Sequence, residues 1–110
     1  MPLFITYASY SQSGVKGLVD NPSDRAEVIG SLLEKAGAKL IALYMTTGTH
    51  DIVLVSEASD GADAVALGMA VASTGSLSNI ETVRAWNSSE FVDIAKKAGG
   101  LVGDYSPPGS

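Results

Sequence analysis

The sequence predicts an α+β domain in which a four-stranded antiparallel sheet carries helices on one face, and three observations lead there. Segments rich in β-branched and aromatic residues alternate with segments of helical apolar spacing in the order strand, helix, strand, strand, helix, strand, and one more helix follows. The two middle strands are separated only by Thr47-Gly48-Thr49, which reads as a hairpin turn. Each remaining connection passes through a helix, as a right-handed βαβ crossover does. Two crossovers around a central hairpin make the ferredoxin-like βαββαβ arrangement, here with an extra C-terminal helix.

The elements follow in order. Residues 3–10 form the first strand, with Leu3, Ile5, Tyr7 and Ser9 on one face and Phe4, Thr6, Ala8 and Tyr10 on the other. Ser11-Gln12-Ser13-Gly14 reads as a polar turn, and 15–19 as a short helical turn before the break at Asp20-Asn21-Pro22. The next helix has Asn21 as its expected N-cap and Pro22 as its first residue, where a missing N–H is harmless. Asp24 and Glu27 suit its N-terminal dipole, Val28, Ile29, Leu32, Leu33 and Ala36 make its apolar stripe, and Gly37 ends it. Strands over 38–46 and 50–57 make the hairpin. Asp60 caps a helix that is small and apolar nearly all round and stops before Gly75. A fourth strand covers 78–86. The last helix opens at Asn87 with Glu90 as its capping-box partner, and Gly99-Gly100 is its expected end. The folded domain is thus expected over 1–98, with 99–110 an irregular tail containing Gly103, Pro107, Pro108 and Gly109.

Composition narrows the function. The 110 residues, 45% of them hydrophobic, suffice for one core and not two. A net charge of -5 has the wrong sign for a nucleic-acid partner. The absence of Cys excludes disulfides, thiolate metal sites and Cys nucleophiles, and one histidine leaves too few ligands for a transition-metal site within a single chain. Gly14-Val15-Lys16-Gly17 and Gly99-Gly100-Leu101-Val102-Gly103 match neither the phosphate loop nor the dinucleotide fingerprint, so no cofactor is expected. The first residues lack the basic segment of a signal peptide, and no apolar run reaches the roughly 20 residues of a membrane helix. A cytoplasmic protein with no membrane partner is the expectation.

Both crossover helices lie on one face of the sheet, which leaves the other bare. The second and third strands are apolar on both faces, as in a sheet covered on both sides; in the third, Ile52, Leu54 and Ser56 alternate with Val53, Val55 and Glu57. A bare apolar sheet is a liability for a monomer. The expectation is self-association through this face, most simply as a two-fold homodimer. The alternative is that the last helix or the tail folds across it within one chain.

The hairpin reads Thr46-Thr47-Gly48-Thr49-His50-Asp51-Ile52-Val53, and here the chain resembles the GYD-domain proteins, small prokaryotic proteins named for a Gly, Tyr, Asp signature at this hairpin. Gly14-Val15-Lys16, Asn21-Pro22 with Arg25, and Glu81-Thr82-Val83-Arg84-Ala85-Trp86 followed by Glu90-Phe91 fit the same resemblance, which spans residues 3 to 96. It implies the dimeric α/β-barrel version of the ferredoxin-like fold, in which two sheets meet face to face, and it implies no settled activity. His50 stands where the family's Tyr is usual, so a role tied to a phenol hydroxyl is not carried over.

The candidate site residues each have a functional and a plain reading. His50 is the one side chain that titrates near neutrality and is the candidate acid or base; plainly, it is a strand-entry residue. Asp51 is a candidate ligand contact or a cap on nearby backbone N–H groups, and neighbours on a strand point apart, which argues against a His-Asp dyad. Arg84 either faces an interior and needs an anion, or is a solvated rim charge. Lys16 and Arg25 are anion contacts or surface ion pairs. Tyr7, Tyr10, Tyr44 and Trp86 line an aromatic cavity or belong to the core, with Tyr7 and Trp86 the chosen ligand contacts. Three functions compete: a homo-oligomeric domain binding or sensing a small anionic or aromatic molecule, a cofactor-independent monooxygenase, isomerase or cyclase using His50 and Arg84, and a structural assembly subunit.

Overall fold

The computed structural model describes residues 1–109. Its elements are β1 (Leu3–Tyr10), α1 (Gln12–Asp20), α2 (Arg25–Lys35), β2 (Lys39–Met45), β3 (Ile52–Glu57), α3 (Gly61–Ala72), β4 (Leu77–Ala85) and α4 (Ser88–Leu101), then a 3-10 turn over Val102–Asp104. The strands form one sheet in the order β2-β3-β1-β4, with every neighbouring pair antiparallel. This is the ferredoxin-like arrangement read from the sequence.

β2, β3 and β4 shift by one or two residues at their ends, and the helix boundaries depart further from those the sequence pattern predicts. α1 is a full helix of nine residues, because Ser11 caps it and its Oγ accepts from the Gly14 N–H. Asn21 therefore closes α1, donating its N–H to the Gly17 carbonyl at 2.9 Å, and is not free to open α2. Asp24 is the N-cap of α2 instead, accepting from the Ala26 N–H at 3.0 Å, and Pro22 stays outside the helix. α4 begins at the expected capping box of Asn87 and Glu90 but continues past Gly99 and Gly100 to Leu101. Neither glycine takes the positive φ that would stop it, whereas Gly37 and Gly75 do.

Register assigns the two faces. Phe4 pairs with Ser56 and Arg84, and Thr6 with Leu54 and Thr82, all on the side covered by helices. The opposite side carries the row Val83, Ile5, Val55, Ala42 across all four strands, and beside it Glu81, Tyr7, Val53, Tyr44. The core lies under the helices and is small: Phe4, Leu33, Ala38, Ala58 and Ala64, with Ile29, Leu40 and Leu67 packed against it. α2 packs on β2 and α3 on β4, so the two helices stand apart over the sheet.

α4 projects from this body. Its main packing is with the 3-10 turn that follows it, and its side chains are exposed apart from a half-buried Ile94. The radius of gyration is 17.9 Å and the extents are 61 × 32 × 22 Å. A compact chain of this length has a radius near ~13 Å. The difference is the arm.

Candidate functional site

Two features stand out: the open sheet face and a cleft on the helix side. Among the described residues no element packs across the open face, and Ile5, Tyr7, Val53, Val55 and Val83 are only half-buried there. The cleft, of ≈ 360 Å³, lies between α1, α2 and the end of β1. α1 forms one wall because its N-terminus is fastened to the turn before β4. The Ser11 N–H donates to the Ser76 carbonyl at 3.0 Å, and Ser13 Oγ donates to the Gly75 carbonyl at 3.1 Å. Gly14 permits the approach, since a Cβ there would overlap the Ser76 carbonyl oxygen.

The predicted site residues fall into separate groups. His50 and Asp51 precede β3 rather than lying in it. The His50 ring rests against Tyr7 on the open face, with centroids 5.4 Å apart, and its Nδ1 is buried with no partner among the described residues. Asp51 turns away: its Oδ2 accepts from the Tyr10 N–H at 2.9 Å, and its own N–H donates to the Ala8 carbonyl, so it fastens the end of β1 to the hairpin. Although neither residue lies in a strand, their side chains take separate partners and make no dyad.

Arg84 lies on the opposite face from His50, in register with Phe4. Its guanidinium donates to the Leu3 and Ala85 carbonyls and stands 4.5 Å from the Trp86 ring centroid and 5.8 Å from that of Phe4. Backbone and aromatic partners satisfy it without a carboxylate. His50 and Arg84 are therefore not brought together. Lys16 is on the exposed side of α1, paired with Asp20 at 2.7 Å, as the plain reading had it. The four aromatics do not form one cavity: Tyr7 and Tyr44 face the open side, Trp86 covers Arg84, and Tyr10 lines the cleft.

Arg25 differs from Lys16. It lines the cleft, half-buried, and donates to Ser23 Oγ at 3.5 Å; among the described residues it has no ion pair. Tyr10 lines the same space. Burial pushes the pKa of the Tyr10 hydroxyl up, an effect opposed by the Arg25 charge and reinforced by that of Asp51. The sequence offered Arg25 as a candidate but not the cleft, because the cleft needs α1 as a whole helix.

The GYD domain family model matches residues 4–95. The chain belongs to the GYD domain family. Among relatives of this GYD domain, the glutamine synthetase and cystathionine beta-lyase binding protein of Thermus thermophilus is 35% identical over 77 residues, 70% of this chain and 81% of that protein. The crystal structure of TTHA0845, also from Thermus thermophilus, superposes with a TM-score of 0.51 over 80% of this chain and 96% of that one, at 15% identity. At that identity the likeness speaks for the fold alone. No described helix of this GYD domain is long and apolar enough to cross a membrane.

Proposed function

We propose that this GYD domain is a protein-binding module that works as a two-fold dimer, joined through its open sheet face and offering α4 to a partner protein. The observation that carries the reading is the unbroken row Val83, Ile5, Val55, Ala42 on a face with no described element packed over it. Apolar rows of this kind are what a stable self-complementary interface buries. α4 adds a second unpartnered surface, with Phe91 and Val92 half-exposed on a helix anchored only at its base. The name of the Thermus thermophilus relative, a binding protein for two enzymes, supports a protein-binding role.

Val55→Asp tests the dimer. An unpaired carboxylate at the centre of the interface is expected to weaken self-association about 100-fold or more. The fold should survive, because Val55 in the single chain is already partly in contact with water. A variant with the oligomeric state of the wild type would reject the sheet face as the interface.

A further inference from the structure

The cleft beside Arg25 does not end at the mouth. Ile29, Leu32, Ile52, Val71 and Leu77 line both it and a second cavity of ≈ 70 Å³ that runs between α2 and α3 over the sheet. The two are therefore one trough, polar at the α1 end and apolar along its length. The splay of α2 and α3 opens it, which also accounts for the small core. Because the trough is on the helix side, a dimer formed through the opposite sheet face leaves it accessible.

Its polar end has one charge. Among the described residues, Arg25 is the single charged one that lines either cavity, in a chain whose net charge is -5, and no described carboxylate pairs with it. A half-buried guanidinium without a counterion beside apolar walls is an incomplete arrangement. The neighbouring hydroxyls are neutral: that of Ser23 accepts from the Arg25 guanidinium at 3.5 Å, and that of Tyr10 donates to Met45 Sδ at 3.8 Å. A single planar cation with hydroxyl donors matches a carboxylate monoanion; a phosphate dianion calls for a second cation.

We propose that this trough binds a linear amphipathic monocarboxylate, its headgroup on Arg25 and its hydrocarbon tail between α2 and α3. The Tyr10 hydroxyl, which donates to Met45 Sδ at 3.8 Å in the free chain, turns to donate to the same headgroup. This site is independent of the self-association proposed above. It is separate from His50, Arg84 and Trp86, and only Arg25 among the predicted ligand contacts belongs to it.

The test is calorimetric titration, near pH 7, of protein freed of co-purified small molecules. Octanoate is the probe, with acetate, 1-octanol and octylammonium as headgroup and tail controls. Octanoate should bind saturably at one per chain, 1-octanol at least about tenfold more weakly, and acetate and octylammonium not measurably. Arg25→Gln should weaken octanoate about tenfold or more while leaving 1-octanol, the circular dichroism spectrum and the oligomeric state unchanged. Absence of saturable octanoate binding, or unchanged binding in Arg25→Gln, would overturn the proposal. Octanoate binding that appears only after residues 99–110 are removed would also overturn it, because the chain's own C-terminal segment would then be the occupant.

Discussion

Gly14 and Gly17 sit one turn apart on α1 and face different surroundings. A Cβ at Gly14 would run into the Ser76 backbone, while one at Gly17 meets nothing within 4 Å. Gly14→Ala should destabilise the protein by about 1–3 kcal/mol through that overlap. Gly17→Ala should stabilise it by up to about 1 kcal/mol through helix propensity. Urea unfolding of the pair measures both, and equal effects would contradict the seating of α1 on the β4 turn. Tyr10 gives a pH test. Its pKa in the folded protein is raised above the ordinary value of 10.0, so the unfolded chain releases this proton first as pH rises. The contribution is whole below that value and is lost as pH climbs through the folded one. Tyr10→Phe should therefore show a shallower loss of stability above pH ~10 than the wild type. At this scale the sequence is a partial guide. It offers His50 and Arg84 as catalytic candidates and Lys16 and Arg25 as anion contacts, and only the register and the end of β1 separate a ring against Tyr7 from a satisfied guanidinium, a surface ion pair and an unpaired cleft cation.

Among the elements, the hairpin, α3 and the start of α4 are legible because their signals are local: Gly48 in the turn, the Asp60 cap, and the reciprocal bonds of Asn87 and Glu90. α1 is not, because what completes it is distant. The cluster that reads as a turn becomes the first turn of a helix once Ser11 and Ser13 bond to Gly75 and Ser76, some sixty residues away. The extent of α4 is likewise unreadable from a glycine pair, which permits a helix end without imposing one. α4 contributes little to the stability of the body, since a lone 14-residue helix is marginal in water and this one packs mainly on its own end. Truncation after residue 87 should leave the melting temperature within a few degrees of the full chain's. The same truncation should abolish co-elution with a partner protein. A large loss of stability would mean that α4 is part of the domain's core.

The whole molecule is readable in outline and not in detail. Strand order, antiparallel pairing and the bare face follow from element order and from strands apolar on both sides. The splay of α2 and α3, and the trough beneath it, depend on how Ile29, Leu32, Leu67 and Val71 fill space, which no periodicity encodes. Seen as one object, the chain keeps a small core and leaves three apolar surfaces unpartnered among the described residues, the sheet face, the arm and the trough, and a dimer buries the first. The most direct test is the mass of the 110-residue chain in solution by size-exclusion chromatography with light scattering at micromolar concentration. The account predicts twice the chain mass of 11.3 kDa. A single species at 11.3 kDa across the concentration range would contradict it.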